Sequence, residues 1–288
     1  MSAVHRPPRQ LLLALLGENL VDRPERHVRA GAFLAALEPT GVTAPAVRGA
    51  LNRLVHTGVL LRHRRGREIS FSLTDAGVDL LGQAVDRVRR PRIILVDKVG
   101  WTLCSFSVPE RQRALRHRVR SILTWAGFAP VRDGFWLAPG AVDLSAPMRP
   151  VRAQLPEGSL LAFHAREFTA FPIEQAVRAA WDIEGIRAEH EEFSSRWENP
   201  ATVLEPGSPL AAMTMLVADW LALLRADPGL PKEYMGDDFA LPRSVETYER
   251  LRAELGPAAR AEFEDLCAGR GRPLDGAADT RSTRAVTV

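Results

Sequence analysis

The sequence predicts an α+β chain of several domains: a winged helix-turn-helix at the N-terminus, a ferredoxin-like α+β unit in the middle and a mainly helical C-terminal part. Three observations carry this. The first ninety residues hold three short helical patterns, an alternating hairpin and a further helix. From Trp101 onward, apolar strand runs alternate with amphipathic helices. From Pro172 to about Ala268 the pattern is helical almost throughout.

The N-terminal elements follow in order. Arg9–Val21 is a helix with apolar Leu12, Leu13, Leu15, Leu16 and Leu20, and Pro7 and Pro8 mark its start. Gly31–Leu37 is a second helix, ended by Pro39 and Gly41. Thr43 stands as the N-cap of a third, which has Pro45 in its first turn, runs to about Thr57 and is closed by Gly58. Leu60–Arg64 and Glu68–Leu73 are strands joined by Arg65-Gly66-Arg67. In the second, Ile69, Phe71 and Leu73 alternate with Glu68, Ser70 and Ser72. Thr74 caps a helix over Asp75–Val88.

In the middle, Trp101–Val108, Gly134–Pro139 and Ser159–Phe168 read as strands. Glu110–Trp125 reads as a helix with an arginine-rich outer face, and Leu144–Gln154 as another. In the C-terminal part Pro206, Pro228, Pro231 and Pro242 divide the helical pattern. The expected domains are 9–90, 93–170 and 172–268, followed by a disordered tail over 269–288 that is rich in Gly, Arg, Ser, Thr and Asp.

Charge is divided unevenly. Residues 1–92 carry 15 Lys+Arg against 8 Asp+Glu, a net of +7, and the remainder 23 against 27, a net of −4. A basic block joined to a mildly acidic one points to a polyanion-binding module attached to something else. The two cysteines, Cys104 and Cys267, lie far apart and outside any metal-binding spacing, which fits a reducing cytoplasm. Leu11–Leu16 is too short for a signal peptide, and Ala211–Leu224 is interrupted by Asp219, so no membrane span is expected.

On the third helix Val47, Ala50, Leu51 and Leu54 form one apolar stripe. Thr43, Ala46, Arg48, Gly49, Asn52, Arg53 and His56 are the candidates for DNA contact. Arg48 and Asn52, four apart, share a face. Arg bonds guanine and Asn bonds adenine in bidentate fashion, and Gly49 lets the backbone come close. Around the hairpin turn Arg62, Arg64, Arg65 and Arg67, with His63 between, need an anion to offset their mutual repulsion. The expected partner is double-stranded DNA, bound at a palindromic operator.

The run Ala46-Val47-Arg48-Gly49-Ala50-Leu51-Asn52-Arg53-Leu54-Val55, followed by Thr57-Gly58-Val59-Leu60, resembles the winged-helix segment of the PaaX family of bacterial repressors. So do Trp101-Thr102-Leu103, Phe106-Ser107-Val108-Pro109-Glu110, Leu123-Thr124-Trp125-Ala126-Gly127-Phe128 and Gly134-Phe135-Trp136-Leu137-Ala138-Pro139 in the centre, and Trp181-Asp182-Ile183 and Asp227-Pro228-Gly229-Leu230-Pro231 further on. The resemblance implies a homodimeric repressor of a catabolic operon, a Cas2-like central domain and release from DNA by an aromatic acyl-CoA such as phenylacetyl-CoA. A competing reading is a Cas2-like nuclease or a CoA-thioester enzyme. The first central strand, however, ends Phe106-Ser107-Val108-Pro109 with no acid before Glu110, and no nucleophile–base pair, metal spacing or cofactor motif is evident. No enzyme activity, metal or cofactor is therefore expected.

For the effector, Trp181, Asp182, Trp197 and Trp220 are candidates, with Arg166 and Arg178 for the phosphates of a CoA. Each has a plainer alternative: the tryptophans as core, Asp182 as a helix N-cap and the arginines as solvated surface.

Overall fold

The computed structural model describes residues 6–89, 91, 100–132, 134–198 and 207–270. These fall into two compact units. One combines the residues up to Gly82 with Gly207–Met215 and the residues from Leu255 onward; the other holds Gln83–Pro206 and Leu216–Glu254. The expected boundary at residue 93 lies outside the described residues, and so does the expected tail beyond Arg270.

The first unit opens with α1 (Pro8–Leu20), whose leading proline sits where a missing N–H costs nothing. Leu11, Leu12, Leu15, Leu16 and Leu20 are all fully buried, as befits a helix apolar on every side. A two-residue strand β1 (Val28–Arg29) leads into α2 (Ala30–Leu37), and α3 (Ala44–His56) packs on both α1 and α2. Thr43 occupies the N-cap position with extended backbone, but its hydroxyl makes no capping bond, so that part of the expectation is corrected. Pro45, in the first turn, removes one of the N–H groups a cap would serve. At the other end Gly58 takes a φ of 73°, and Val59 N–H reaches back to the Leu54 carbonyl at 2.9 Å, closing the helix by a left-handed cap.

The hairpin strands β2 (Leu60–Arg65) and β3 (Glu68–Leu73) pair in antiparallel register from Leu60↔Leu73 to Arg65↔Glu68, and β1 adds on the far side of β3. β1 escaped the sequence pattern because two residues cannot display an alternation. α4 (Asp75–Arg89) follows. Its cap is as expected: Gly77 N–H donates to Thr74 Oγ1 at 2.8 Å, while that hydroxyl donates to the Gly58 carbonyl at 2.6 Å. Gly77 is required there, since a Cβ would stand 2.3 Å from the Val59 carbonyl oxygen.

The second unit contains β4 (Trp101–Phe106), α5 (Arg113–Trp125), β5 (Ala129–Arg132), β6 (Phe135–Pro139), α6 (Ser145–Arg152) and β7 (Leu160–Ala165). The strands form one antiparallel sheet in the order β5-β6-β4-β7, the ferredoxin-like arrangement expected. β5 was not expected. Pro130 disguises it, and it is tolerated because β5 lies at the sheet edge, where a missing N–H breaks no ladder. The expected helix over Glu110–Trp125 begins as a 3-10 turn, Glu110–Gln112.

Alternation along the strands gives the sheet two apolar faces. Cys104, Phe106, Trp136 and Ala138 pack under Leu115, Val119 and Leu123 of α5 and Met148 and Val151 of α6. Burial pushes the Cys104 thiol up to about 11. On the opposite face Trp101 and Leu137 meet α7 (Glu174–Ala180), α8 (Ile183–Glu198) and α10 (Lys232–Met235) through Val177, Ile186 and Tyr234.

α9 (Pro209–Ala226) and α11 (Leu241–Ala268) complete the set. Pro228 and Pro231 interrupt the helical pattern as expected. Pro242 instead sits in the first turn of α11, and Pro257 lies within that helix. Pro206 is outside the described residues. α9 is long and apolar enough to cross a membrane by length and composition, but 72% of it is buried inside the protein. Its Asp219 accepts hydrogen bonds from Trp197 Nε1 at 3.1 Å and Arg196 at 3.3 Å.

Between α8 and α11 lies a sealed polar chain. His190 is fully buried, with Nδ1 3.1 Å from Ser244 Oγ and Nε2 3.1 Å from Asp227 Oδ2. Asp227 also accepts from Gly229 N–H at 2.7 Å, so the motif Asp227-Pro228-Gly229 holds both its own turn and the histidine. Ser244, His190 and Asp227 follow the residue order of a hydrolytic triad, but with all three buried no substrate reaches them, and the chain acts as an internal clasp.

The ends of α9 and α11 belong to the first unit. Arg26 donates to both carboxylate oxygens of Glu264, at 2.6 and 2.7 Å, and lies 5.5 Å over the Phe263 ring. Glu262 accepts from Ser208 Oγ and Leu210 N–H and so caps the start of α9.

Two outcomes follow from these contacts. Asp227→Ala leaves a buried imidazole without its acceptor and is expected to lower stability by about 2–4 kcal/mol in urea unfolding; a change under about 0.5 kcal/mol would mean that the clasp holds nothing. Arg26 holds the Glu264 carboxyl below its ordinary value. That stabilisation is therefore present above the unfolded carboxylate range and is lost as pH falls through the lowered folded value. Glu264→Gln is expected to flatten the fall in unfolding temperature between about pH 5 and pH 3; an unchanged acid limb would remove the pair from the account.

Candidate nucleic-acid interface

The apolar stripe of α3 fixes the orientation of its polar residues. Val47, Ala50, Leu51 and Leu54 are buried to within 1%. Arg48, Asn52, Arg53 and His56 consequently stand exposed on the other side, together with Thr43 at the helix start, while Ala46 and Gly49 are half-buried between them. Arg53 lies back along Gly49, its Nη1 at an ordinary contact distance of 3.6 Å from where a Cβ would be.

The hairpin carries the second group. In β2 the residues Leu60, Arg62 and Arg64 share one face, paired with Leu73, Phe71 and Ile69. Leu60, Leu73 and Phe71 are buried, so Arg62 and Arg64 occupy core-facing parity where the hairpin runs out beyond the core. The turn is a two-residue Gly66-Arg67 loop with Gly66 at φ 62°, a conformation an L side chain resists. Arg65 precedes the loop and Arg67 is its second residue, both exposed.

Arg48, Arg53, Arg62, Arg65 and Arg67 make no ion pair among the described residues. Arg64 Nε donates only to the Gly66 carbonyl, at 3.2 Å. The nearest acid in sequence, Glu68, is engaged by Arg29 at 3.5 Å, a partner the sequence did not suggest. His63 differs from its neighbours: it is half-buried on the other face, stacked on His27 at 3.9 Å and hydrogen-bonded to Ser72 at 2.9 Å. It therefore stiffens the hairpin and leaves the tip to the arginines.

The six effector candidates fall in different places. Trp197 and Trp220 are fully buried, Trp197 bonded to Asp219 and Trp220 stacked on Tyr248 at 4.5 Å and packed against Phe193. Trp181 is half-buried against Trp101, in the cluster beneath the sheet. Asp182 Oδ1 accepts from Gly185 N–H at 3.0 Å, the N-cap alternative weighed for it. Arg178 bonds Glu174 at 3.0 Å on the surface of α7, and Arg166 is exposed after β7. A shallow groove of about 450 Å³ opens in the first unit, lined by Arg29, Ala35, Arg67, Ile69, Leu266 and Gly269; none of the six candidates lines it.

No curated protein matches the sequence. Among solved structures, the uncharacterized protein Rv0674 from Mycobacterium tuberculosis is similar, with a TM-score of 0.53 at 18% identity over 88% of this chain and 96% of that one, a likeness of fold. Residues 8–77 match the model of the PaaX-like protein, residues 97–157 that of the PaaX protein central Cas2-like domain, and residues 181–265 that of the PaaX-like protein C-terminal domain. With all three segments matched in order, the chain belongs to the PaaX-like family.

Proposed function

We propose that this chain is a DNA-binding transcriptional repressor, acting as a homodimer on a palindromic operator and released by a small effector. The observation that carries the reading is the cluster of exposed arginines on α3 and the hairpin, which have no acidic partner among the described residues. Bringing such charges together on a rigid support is costly in water and becomes favourable when they neutralise phosphates and release the counterions condensed on the DNA.

The first unit would work as a winged helix. α3 enters the major groove, Arg48 and Asn52 read base edges, and Thr43 and Ala46 at its start approach the sugar-phosphate edge. The hairpin is the wing: Arg62 and Arg64 lie along the backbone, and Arg65 and Arg67 reach phosphate or a narrowed minor groove. The domain limits 9–90, 93–170 and 172–268 are retained as functional divisions, with the C-terminal helices as the effector-responsive part. Membership of the PaaX-like family supports a regulator, and the effector class this favours is an aromatic acyl-CoA.

The reading is tested by gel shift on the DNA upstream of the protein's own gene cluster. Arg48→Ala and Asn52→Ala are each expected to cost about 1–3 kcal/mol on the operator and to relax discrimination against scrambled DNA. Arg65→Ala and Arg67→Ala should weaken binding to all sequences and shallow the salt dependence by about one unit each. Unchanged affinity and selectivity in the α3 variants would remove α3 as the recognition helix. Release of the complex by phenylacetyl-CoA is expected, and release by a different acyl-CoA or aromatic acid would keep the regulator and replace the ligand.

A further inference from the structure

We propose that the outer face of α5 and α6 is a second surface for double-stranded DNA, one that holds the phosphate backbone without reading bases. The proposal rests on the reading of the chain as a DNA-binding protein and adds a contact that the winged helix does not supply.

The charge beyond residue 92 conceals an island. Residues 93–288 hold 23 Lys+Arg against 27 Asp+Glu, but residues 110–152 alone hold 8 against 3, which leaves 15 against 24 for the rest. Neither α5 nor α6 contains an acidic residue. Of the three acids in the island, Asp133 lies outside the described residues. Glu110 is shared by two arginines, Arg113 at 3.5 Å and Arg116. Asp143 accepts from Ser145 N–H at 2.8 Å at the start of α6.

Packing turns the positive charge outward. Leu115, Val119 and Leu123 of α5 and Met148 and Val151 of α6 are buried in one core under the sheet, so the opposite sides of both helices meet solvent. Arg118, Arg120, Arg149 and Arg152 are exposed on the two helices, and Arg111 on the 3-10 turn before α5. Arg111, Arg120, Arg149 and Arg152 make no ion pair among the described residues. Arg118 donates to the side-chain oxygen of Gln154, just beyond α6, and the Gln154 amide donates to the Pro150 carbonyl at 3.4 Å. A neutral partner thus fixes this guanidinium without cancelling its charge. Five uncompensated charges share one helical layer.

DNA phosphate is the ligand that suits this layer. Guanidinium groups match phosphate oxygens in bidentate fashion. Two helices packed side by side, with axes about 8–10 Å apart, span about 20 Å, whereas a major groove is about 12 Å wide and admits one helix. The layer therefore rests on the backbone. The exposed positions among the arginines, such as Ala114, Ser121 and Ala146, are small, and offer no apolar anchor of the kind that centres a protein interface. Trp125, at the end of α5, is already engaged by Arg225, 5.0 Å from its ring.

A salt series of binding by the full-length chain, on the upstream duplex and on a scrambled one, tests the surface. The triple variant Arg120→Ala, Arg149→Ala, Arg152→Ala is expected to weaken both duplexes equally, by about tenfold or more at 0.1 M salt, and to shallow the salt slope by about 2–3 units. The corresponding triple lysine variant keeps the charge and is expected to restore the slope. An unchanged slope in the alanine variant, with Arg48→Ala still weakening the operator, would remove this surface and leave the winged helix standing. Loss confined to the upstream duplex would contradict backbone contact. A change of mass in light scattering would give the face to a second copy of the chain instead. A wild type that binds neither duplex would overturn this proposal and the DNA reading together.

Discussion

The DNA grip proposed for the first unit of this chain depends on the burial of the apolar stripe on α3. Val47, Ala50, Leu51 and Leu54 have nowhere to go but against the leucines of α1 and the apolar face of α2. Once they are packed, the rotation of α3 is set, and with it the outward direction of Arg48, Asn52, Arg53 and His56. A helix free to turn would present these groups to the unit's own acids as readily as to DNA. The core thus converts a sequence period of 3.6 residues into a one-sided display of donors.

The hairpin extends the same logic by a different period. Its core-facing parity is apolar while it lies over the helices and becomes arginine once it passes them, so one alternation supplies both packing and charge. Gly66 makes the tight reversal possible, His63 is taken up by His27 and Ser72, and Arg29 occupies Glu68. The ends of α9 and α11, held by Arg26–Glu264 and the Glu262 cap, are built into this unit, so residues from the C-terminal part are structural members of the module proposed to grip DNA.

Much of this was legible beforehand because long periodic segments declare themselves. The first three helices, the hairpin and the Thr74 cap stand within a residue or so of expectation, and the outward residues of α3 follow from its stripe. What escaped had physical reasons. β1 is too short to alternate, β5 hides behind Pro130, and Pro257 within α11 shows that a proline need not end a helix already held by tertiary contacts. The effector candidates were the least readable. A tryptophan looks alike in sequence whether it lines a cavity or fills a core, and Trp197 and Trp220 fill a core. The clasp of His190, Asp227 and Ser244 spans three distant segments that no local spacing connects.

The most direct test of the central claim, that the exposed arginines serve DNA, is the salt dependence of wild-type binding to the upstream intergenic duplex beside a scrambled one. Five arginines of α3 and the hairpin, without acidic partners among the described residues, predict that the logarithm of the binding constant falls with the logarithm of salt at a slope of about −4 or steeper, with the upstream DNA preferred. A slope near zero, or no binding at low salt, would contradict the account.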